Sequence, residues 1–360
     1  MKIRWTLGFL IICVLLVINI GELAAERTWT QRADMPTARY NFGTCVVNGK
    51  VFAIGGEIEV FGDRAVATVE VYDPKTDTWE RKADMPTART GLFVEVVDGK
   101  IYAVGGSEVK KFQVGPGWGY SFKRLPAVEV YDPIADTWTP KADMPVPRSG
   151  GSCVVDGKIY IIGGSAANRE EWRLDIVDVY DPVTDTWAKA KNMNHARSGT
   201  SVSVVDGKIY VMGRTGWPQI PNHPGPFLSS VEVFDPKTNR WTEKTEMPAP
   251  KAGHTASVIN GKIYVIGGGF RGNGPYMYLS TVEVYSPETD RWTQEPDMPI
   301  GKSGHAAEVI NGEIYIFGGS RAGVFVPLTT VEVYGTGEIP RSVDPVGKLV
   351  ETWGAIKTRR

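Results

Sequence analysis

Six near-copies of one phrase run through this chain, and an internal repeat of about fifty residues constrains a fold more than any bulk property does. A Gly-Gly pair, in one copy Gly213-Arg214, stands at 55–56, 105–106, 163–164, 213–214, 267–268 and 318–319. An apolar run opened by Asn-Gly or Asp-Gly precedes each pair, as in DGKIYVM and NGKIYVI. Val-Glu-Val-Tyr or a close variant follows it. Trp79, Trp138, Trp187, Trp241 and Trp292 close five copies, while Trp29 stands alone ahead of the first.

Each copy reads as four short strands. The first is small and Gly-containing, as in SGHAAEVI, and a two-residue Asn-Gly or Asp-Gly loop is the strongest local hairpin signal. The second, KIYVIGG, is apolar on both faces, as a strand sandwiched between sheets must be. The third alternates and ends in Asp-Pro, a turn signal. The fourth carries the Trp. Repetition of four-stranded sheets at this period describes a β-propeller.

The Gly-Gly pair, the Tyr or Phe seven residues before each closing Trp, as in YDPKTDTW, and that Trp resemble kelch repeats over residues 26–335. The resemblance implies an all-β, six-bladed kelch-type β-propeller with four-stranded antiparallel blades. Arg214 is its one break. WD40 signatures do not recur. The last copy stops at Tyr334 without a Trp strand, and the chain opens with a spare one, ERTWTQRADMP. Because an open strand edge is a liability, the N-terminal strand is expected to close the ring. The tail, DPVGKLVETW, offers a competing closure through Trp353, but its Asp-Pro to Trp spacing is three residues too long.

The ends of the chain are different material. Lys2 and Arg4 precede an apolar run from Trp5 to Ile20, followed by Gly21-Glu22-Leu23-Ala24-Ala25. That pattern describes a secretory signal over 1–25, with an uncleaved anchor as the alternative. The expected divisions are a signal peptide (1–25), a propeller (26–335) and a tail (336–360). Secreted or periplasmic localisation follows, with no membrane contact once the signal is removed. A formal net charge of −1 with both signs interspersed gives no field for nucleic acid. Cys45 and Cys153 occupy equivalent places in non-adjacent repeats, poorly placed for the short span of a disulfide, and read as free thiols.

Spacing separates scaffold from variation. The interval from Trp to a cation is ten residues in every copy: Arg39, Arg89, Arg148, Arg197, Lys251 and Lys302. Only the loop after Gly-Gly varies, at 12, 21, 12, 16, 13 and 11 residues. Antiparallel pairing puts these loops on the face that carries the cations, opposite the uniform turns. Variable loops on a rigid frame are where function concentrates. They hold Trp118, Tyr120 and Phe122; Trp172; Arg214, Trp217, His223 and Phe227; and Phe270, Tyr276 and Tyr278. Aromatic rings beside arginines are enriched at binding hot spots, and rings also stack on sugars. The competing explanation is that they pack on one another to hold long loops down.

The candidate ligand-binding set is therefore Trp118, Tyr120, Trp172, Arg214, Trp217, His223, Phe270 and Tyr276, with Arg39, Arg89, Arg148 and Arg197 at the channel mouth. For the cation ring as a whole a structural role is favoured. Each cation would pair with the carboxylate that recurs once per blade: Glu70, Glu129, Asp178, Glu232, Glu283 and Glu332. Arg214 is the exception, since it replaces a glycine.

Catalytic groups are few. His254 and His305 are expected near the central channel, with Glu308 the obvious extra ligand, short of the three or four a metal site needs. His195 has no evident partner. No catalytic residue, metal or cofactor is assigned.

The function read from the sequence is a secreted, monomeric binding module for a protein segment or a glycan. The alternative is a sugar mutarotase of the N-acetylneuraminate epimerase type, implied by resemblance alone. Its acid/base group and carboxylate-binding arginine have only Glu170, Glu171 and Arg214 as candidates, without a matching motif.

Overall fold

The structure is a computed structural model, and it describes residues 27–58, 65–114, 117–166, 173–214, 228–270, 275–321 and 324–337. Blade 1 comprises Gly43–Val47, Lys50–Ile54, Val69–Asp73 and Thr78–Lys82, paired antiparallel in that order. Four further sheets repeat this plan. The sixth is completed from the other end of the chain: Trp29–Arg32 pairs with Val331–Gly335, which pairs with Glu313–Phe317 and then Ala306–Ile310. Trp29 lies opposite Tyr334, so the N-terminal strand closes the ring as the missing Trp strand required. The first strands of the six blades touch one another in sequence order and back to blade 1, enclosing a central channel.

The Asn-Gly and Asp-Gly loops turn as expected. Asn48 and Gly49 both have positive φ (52° and 75°), which a two-residue primed turn demands. Second strands are buried on both faces: Val51, Ala53 and Ile54 are inaccessible and Phe52 nearly so. The core is six inter-blade seams, each built by neighbouring sheets. One joins Cys45, Ile54 and Val71 of blade 1 to Leu92, Ile101 and Tyr131 of blade 2.

In blades 1, 2, 3 and 5 the closing Trp and the Asp two residues before it clamp the blade to the one before it. Trp138 Nε1 donates to the Ala83 carbonyl at 3.0 Å, while Asp136 Oδ1 accepts the Ala83 backbone N–H at 2.9 Å and the Tyr131 hydroxyl at 2.5 Å. Trp79, Trp187, Trp241 and Trp292 donate in the same way. At the closure the acid is missing, and the Tyr334 hydroxyl turns to Glu295, which also pairs with Arg27 at 2.7 Å.

Among the described residues no helix is long and apolar enough to cross a membrane. The apolar run 5–20 and the tail from residue 338 lie outside the described residues.

Candidate functional site: the variable-loop face

Ten residues after each Trp the chain reaches the channel mouth, and there every cation is fully buried. Arg89 meets Glu129 at 2.6 Å, Arg148 meets Asp178 at 2.7 Å, Lys251 meets Glu283 at 2.5 Å and Lys302 meets Glu332 at 2.6 Å. Arg39 pairs with Glu70 and Arg197 with Glu232. Arg89 also donates to the carbonyls of Gly105 (3.0 Å) and Ala127 (2.8 Å), tying second strand to third. Burial lowers the pKa of Arg39, Arg89, Arg148, Lys251 and Lys302, and the facing carboxylate opposes that shift.

This arrangement corrects the sequence reading at four positions. Arg39, Arg89, Arg148 and Arg197 have no surface to offer a ligand, so they leave the candidate set and belong to the scaffold. His195 is corrected too: its Nδ1 lies 3.0 Å from Glu232, beside Arg197.

Just beyond the cations is a backbone ring that spacing alone did not reveal. Asn41, Gly91, Gly199, Gly253 and Gly304, each two residues after its cation, have φ of 51°, 60°, 66°, 64° and 64°. Gly91 N–H donates to the Asn41 carbonyl (2.7 Å), Asn41 to Gly304 (2.8 Å), Gly304 to Gly253 (3.0 Å) and Gly253 to Gly199 (3.1 Å). Left-handed backbone selects Gly, or Asn among the rest. Blade 3 departs: its first strand runs Arg148–Val155 with a bulge between Ser149 and Gly151.

In five blades the residue after the cation pairs with the residue after Gly-Gly, and these pairs rim the mouth. They are Tyr40 with Glu57, Thr90 with Ser107, Ser149 with Ser165, Ala252 with Gly269, and Ser303 with Ser320. Glu57 accepts the Tyr40 hydroxyl at 2.5 Å and the Thr90 hydroxyl at 2.8 Å. Burial nevertheless raises its pKa above the ordinary carboxylate value, against those hydrogen bonds and the charge of Arg124. Arg124 sits between blades 2 and 3, donating from Nη1 to Ser107 Oγ and from Nη2 to Ser165 Oγ at 2.7 Å. Tyr276 lies over Gly269, where a Cβ would meet its hydroxyl at 2.0 Å. Tyr276 also reaches Ser303 Oγ (3.3 Å) and stacks edge-on with Tyr278 at 5.0 Å. For this ring, packing within the mouth is what the structure shows.

The longest loop is a regular hairpin, Ser107–Val114 with Gly117–Arg124, in continuous register from Ser107↔Arg124 to Val114↔Gly117. Phe112 and Phe122 are 48% exposed and Val114 55%. Phe112 is opposite Gly119 and Phe122 opposite Val109, so the two rings belong to opposite faces of the ribbon. A cleft of about 600 Å³ runs from the hairpin base at Lys110, Lys123 and Leu125 to Ala65, Pro86 and Thr87.

Trp118 and Tyr120 are on the second hairpin strand, opposite Gln113 and Lys111. Phe270, half-buried, opens the short ribbon Gly269–Phe270 with Met277–Tyr278. Arg214 ends the strand Lys208–Arg214, paired with Leu228 across a bulge. Trp172, Trp217, His223 and Phe227 lie outside the described residues, as do Glu170 and Glu171.

Inside the channel, one position of the first strand carries Cys45, Glu95, Cys153, Ser203, Ser257 and Glu308 from successive blades. Cys45 and Cys153 are free and buried. Glu308 accepts the Thr44 hydroxyl at 2.7 Å and Glu95 the Ser152 hydroxyl at 2.6 Å. Burial raises both carboxyls to a pKa of about 7. His254 and His305 line the same channel, where burial and neighbouring lysines lower them to about 3 and keep them neutral. Glu308 does not turn toward them, and among the described residues no cluster of three metal-ligating side chains occurs.

The sheets, the inter-blade clamp and the left-handed ring define a kelch-type propeller, and the comparisons agree. The sequence model of the KLHDC2/KLHL20/DRC7 Kelch-repeats domain matches residues 13–213 and 137–319. This chain belongs to the kelch-repeat family. Over 197 residues it is 34% identical to spermatocyte protein spe-26 of Caenorhabditis elegans, covering 53% of this chain and 33% of that protein. Over 208 residues it is 30% identical to Kelch-like protein 15 of Homo sapiens, covering 52% and 33%. These matches thus span about a third of the length of the curated relatives. The solved structure of YjhT superposes with a TM-score of 0.68 at 18% identity, covering 83% of this chain and 95% of that one, a likeness of fold. Kelch-repeat propellers typically mediate protein binding.

Proposed function

We propose that this chain is an exported, monomeric binding module that holds a protein segment against its variable-loop face. One observation carries the reading. The longest loop of this face is a hairpin of two eight-residue strands, with Phe112, Val114 and Phe122 about half exposed and Lys110 and Lys123 exposed on the same ribbon. Rings and aliphatic groups held in the open on a regular ribbon are a common docking element, since exposed apolar surface marks contact. Export is supported by the charged, apolar and small-residue succession of residues 1–25.

The test is an array of peptides and glycans probed with the mature domain and with F112A/F122A. Peptide binding that falls at least about tenfold in the double variant, with little change in melting temperature, supports the reading. Binding to glycans alone, or binding indifferent to both rings, overturns it.

A second reading, the sugar mutarotase, is favoured by a single feature: Glu57, with its raised pKa, sits within electrostatic reach of Arg124. Acceleration of N-acetylneuraminate anomer exchange, followed by proton NMR and lost in Glu57→Gln, would replace the binding reading.

A further inference from the structure

The outer wall of the ring, away from mouth and channel, changes character between blades. The turn from third to fourth strand carries one tip residue after its Pro, and five blades place Lys75, Ile134, Val183, Lys237 and Glu288 there. The turn asks nothing of that side chain. The tip N–H donates to the preceding Asp Oδ1 alike at Lys75 (2.9 Å), Ile134 (2.9 Å), Val183 (3.0 Å) and Lys237 (2.9 Å). Ile134 is 94% exposed and Val183 87%, the two most open large apolar side chains among the described residues. One such residue is ordinary surface. Here the outer strand repeats the signal. Its exposed positions are Thr78, Glu80 and Arg81 in blade 1, Arg240, Thr242 and Glu243 in blade 4, and Arg291, Thr293 and Gln294 in blade 5. In blade 2 they are Thr137, Thr139 and Pro140, and in blade 3 Thr186, Ala188 and Lys189. Tip and strand together expose three charges in blades 1 and 4 and two in blade 5, but none in blade 2 and one in blade 3. Loss of charge with apolar side chains held open is the compositional mark of an interface centre.

Around this neutral centre the charge is acidic. At the same end of the sheets the first turn carries exposed Asp98 in blade 2 and Asp156 in blade 3, where blades 1, 5 and 6 have Asn48, Asn260 and Asn311. All five have φ between 49° and 53°, a demand that Asn meets as well as Asp, so the turn does not select the carboxylate. Lys100 pairs with Asp132 at 3.8 Å and Lys158 with Asp181 at 3.0 Å. Against Asp98 and Asp132 stands Lys100, and against Asp156 and Asp181 stands Lys158, so the turns of each blade keep one carboxylate in excess. In blade 4 the corresponding Asp206 and Asp235 are matched by Lys208 and Lys237.

We propose that the outer wall of blades 2 and 3 is a docking surface in its own right, taking an apolar patch flanked by Lys or Arg on another protein. Ile134 and Val183 make the apolar contact, and the carboxylates of the turns meet the flanking cations. Charge disfavours a second copy as the occupant. A two-fold pairing that joins the apolar tips brings the same end of both copies together, and Asp98 and Asp132 then face Asp156 and Asp181. Strand addition is not the mode, because Pro140 and Lys189 guard the two outer strands.

The test titrates the full chain with an 18-residue helical peptide, Leu along one face and Lys flanking it, and with its counterpart carrying Glu for Lys. The readout is the methyl signals of Ile134 and Val183 in NMR. The Lys peptide should shift both saturably and the Glu peptide neither. I134K/V183K should weaken binding of the Lys peptide, followed by fluorescence anisotropy, by at least about tenfold. Its melting temperature should not fall, because Lys75 and Lys237 already occupy the tip in other blades. No saturable shift, equal response to the two peptides, or a shift of only one methyl overturns the proposal. Self-association in sedimentation that is lost in I134K/V183K assigns the wall to a second copy and overturns it as well. F112A/F122A should leave binding of the Lys peptide unchanged, and a loss there moves the contact to the hairpin. If the array finds no peptide while the Lys peptide shifts both methyls, the variable-face reading fails and this one stands.

Discussion

Replacing Arg89 by Ala tests whether the cation ring is scaffold. Arg89 is inaccessible, and its loss leaves Glu129, 6% exposed, with only the Thr87 hydroxyl at 2.7 Å. It also strips donors from the carbonyls of Ala103, Gly105 and Ala127. Removing one partner of a buried pair costs about 3–5 kcal/mol, mostly the penalty of the charge left behind. The exposed pair Arg81–Asp84, at 2.8 Å with side chains 64% and 44% exposed, is the control, and Arg81→Ala should leave stability nearly unchanged. If the penalty is the orphaned charge, R89M/E129L should recover most of it, since an apolar pair of similar volume replaces a buried ion pair nearly without loss. Urea unfolding followed by tryptophan fluorescence and circular dichroism measures all three. A loss below about 1 kcal/mol for Arg89→Ala, or a double variant no more stable than the single, refutes the reasoning. Ligand affinity should be unchanged by Arg89→Ala, because the guanidinium is sealed beneath the mouth.

Two further outcomes follow from the closure and the channel. Deleting residues 27–32 removes the strand that pairs with Val331–Gly335 and should destabilise the whole domain, while deleting 338–360 should not; the opposite result would move closure to the tail. Glu95 and Glu308 have folded-state pKa values raised from 4.5 to about 7, so the stability tied to their protonation is complete below pH 4.5 and is lost as pH rises through about 7. The loss is at most about 3 kcal/mol per group and should be largely removed in E95Q/E308Q, where an unchanged slope of stability between about pH 5 and 8 would refute the assignment.

Much of this architecture was legible because it recurs. The hairpin turns, the doubly buried second strands, the Trp strand missing from the last copy and the cation–carboxylate register each appear in every blade or are implied by a count. Six repetitions separate a rule from an accident. The mouth was harder to read. Arg124 belongs to one loop, and nothing in its neighbourhood of sequence says that Ser107 and Ser165 from two blades will hold it. Glu57 looks like any residue after Gly-Gly until the equivalent places prove to be Ser107, Ser165, Gly269 and Ser320. The left-handed ring did leave a signal, a Gly two residues after the cation in most copies. Asn41 in blade 1 hides it from a search for glycine but not from a search for residues that tolerate positive φ.

Departures from the repeat sort by whether the structure compensates them. Blade 4 replaces the Tyr hydroxyl and the Asp of the inter-blade clamp together, with Phe234 and Asn239. Asn239 Oδ1 still accepts the Lys191 backbone N–H at 2.9 Å, and Trp241 still donates to the Lys191 carbonyl at 2.8 Å. With no hydroxyl to satisfy, the carboxylate's second role disappears with its donor. At the closure, Glu295 supplies from the fourth strand of blade 5 the oxygen that no Asp provides beside Trp29. These substitutions are repaired and need no ligand to explain them. Arg124 is different, because two neutral hydroxyls orient its charge without cancelling it. Its two donations tie blade 2 to blade 3, against a desolvation cost that a neutral side chain would avoid. Glu95 and Glu308 depart in the same sense inside the channel, where Cys or Ser stands in the other blades and each carboxyl meets a hydroxyl rather than a cation, so the departures left without a counter-charge among the described residues lie along the channel and at its mouth.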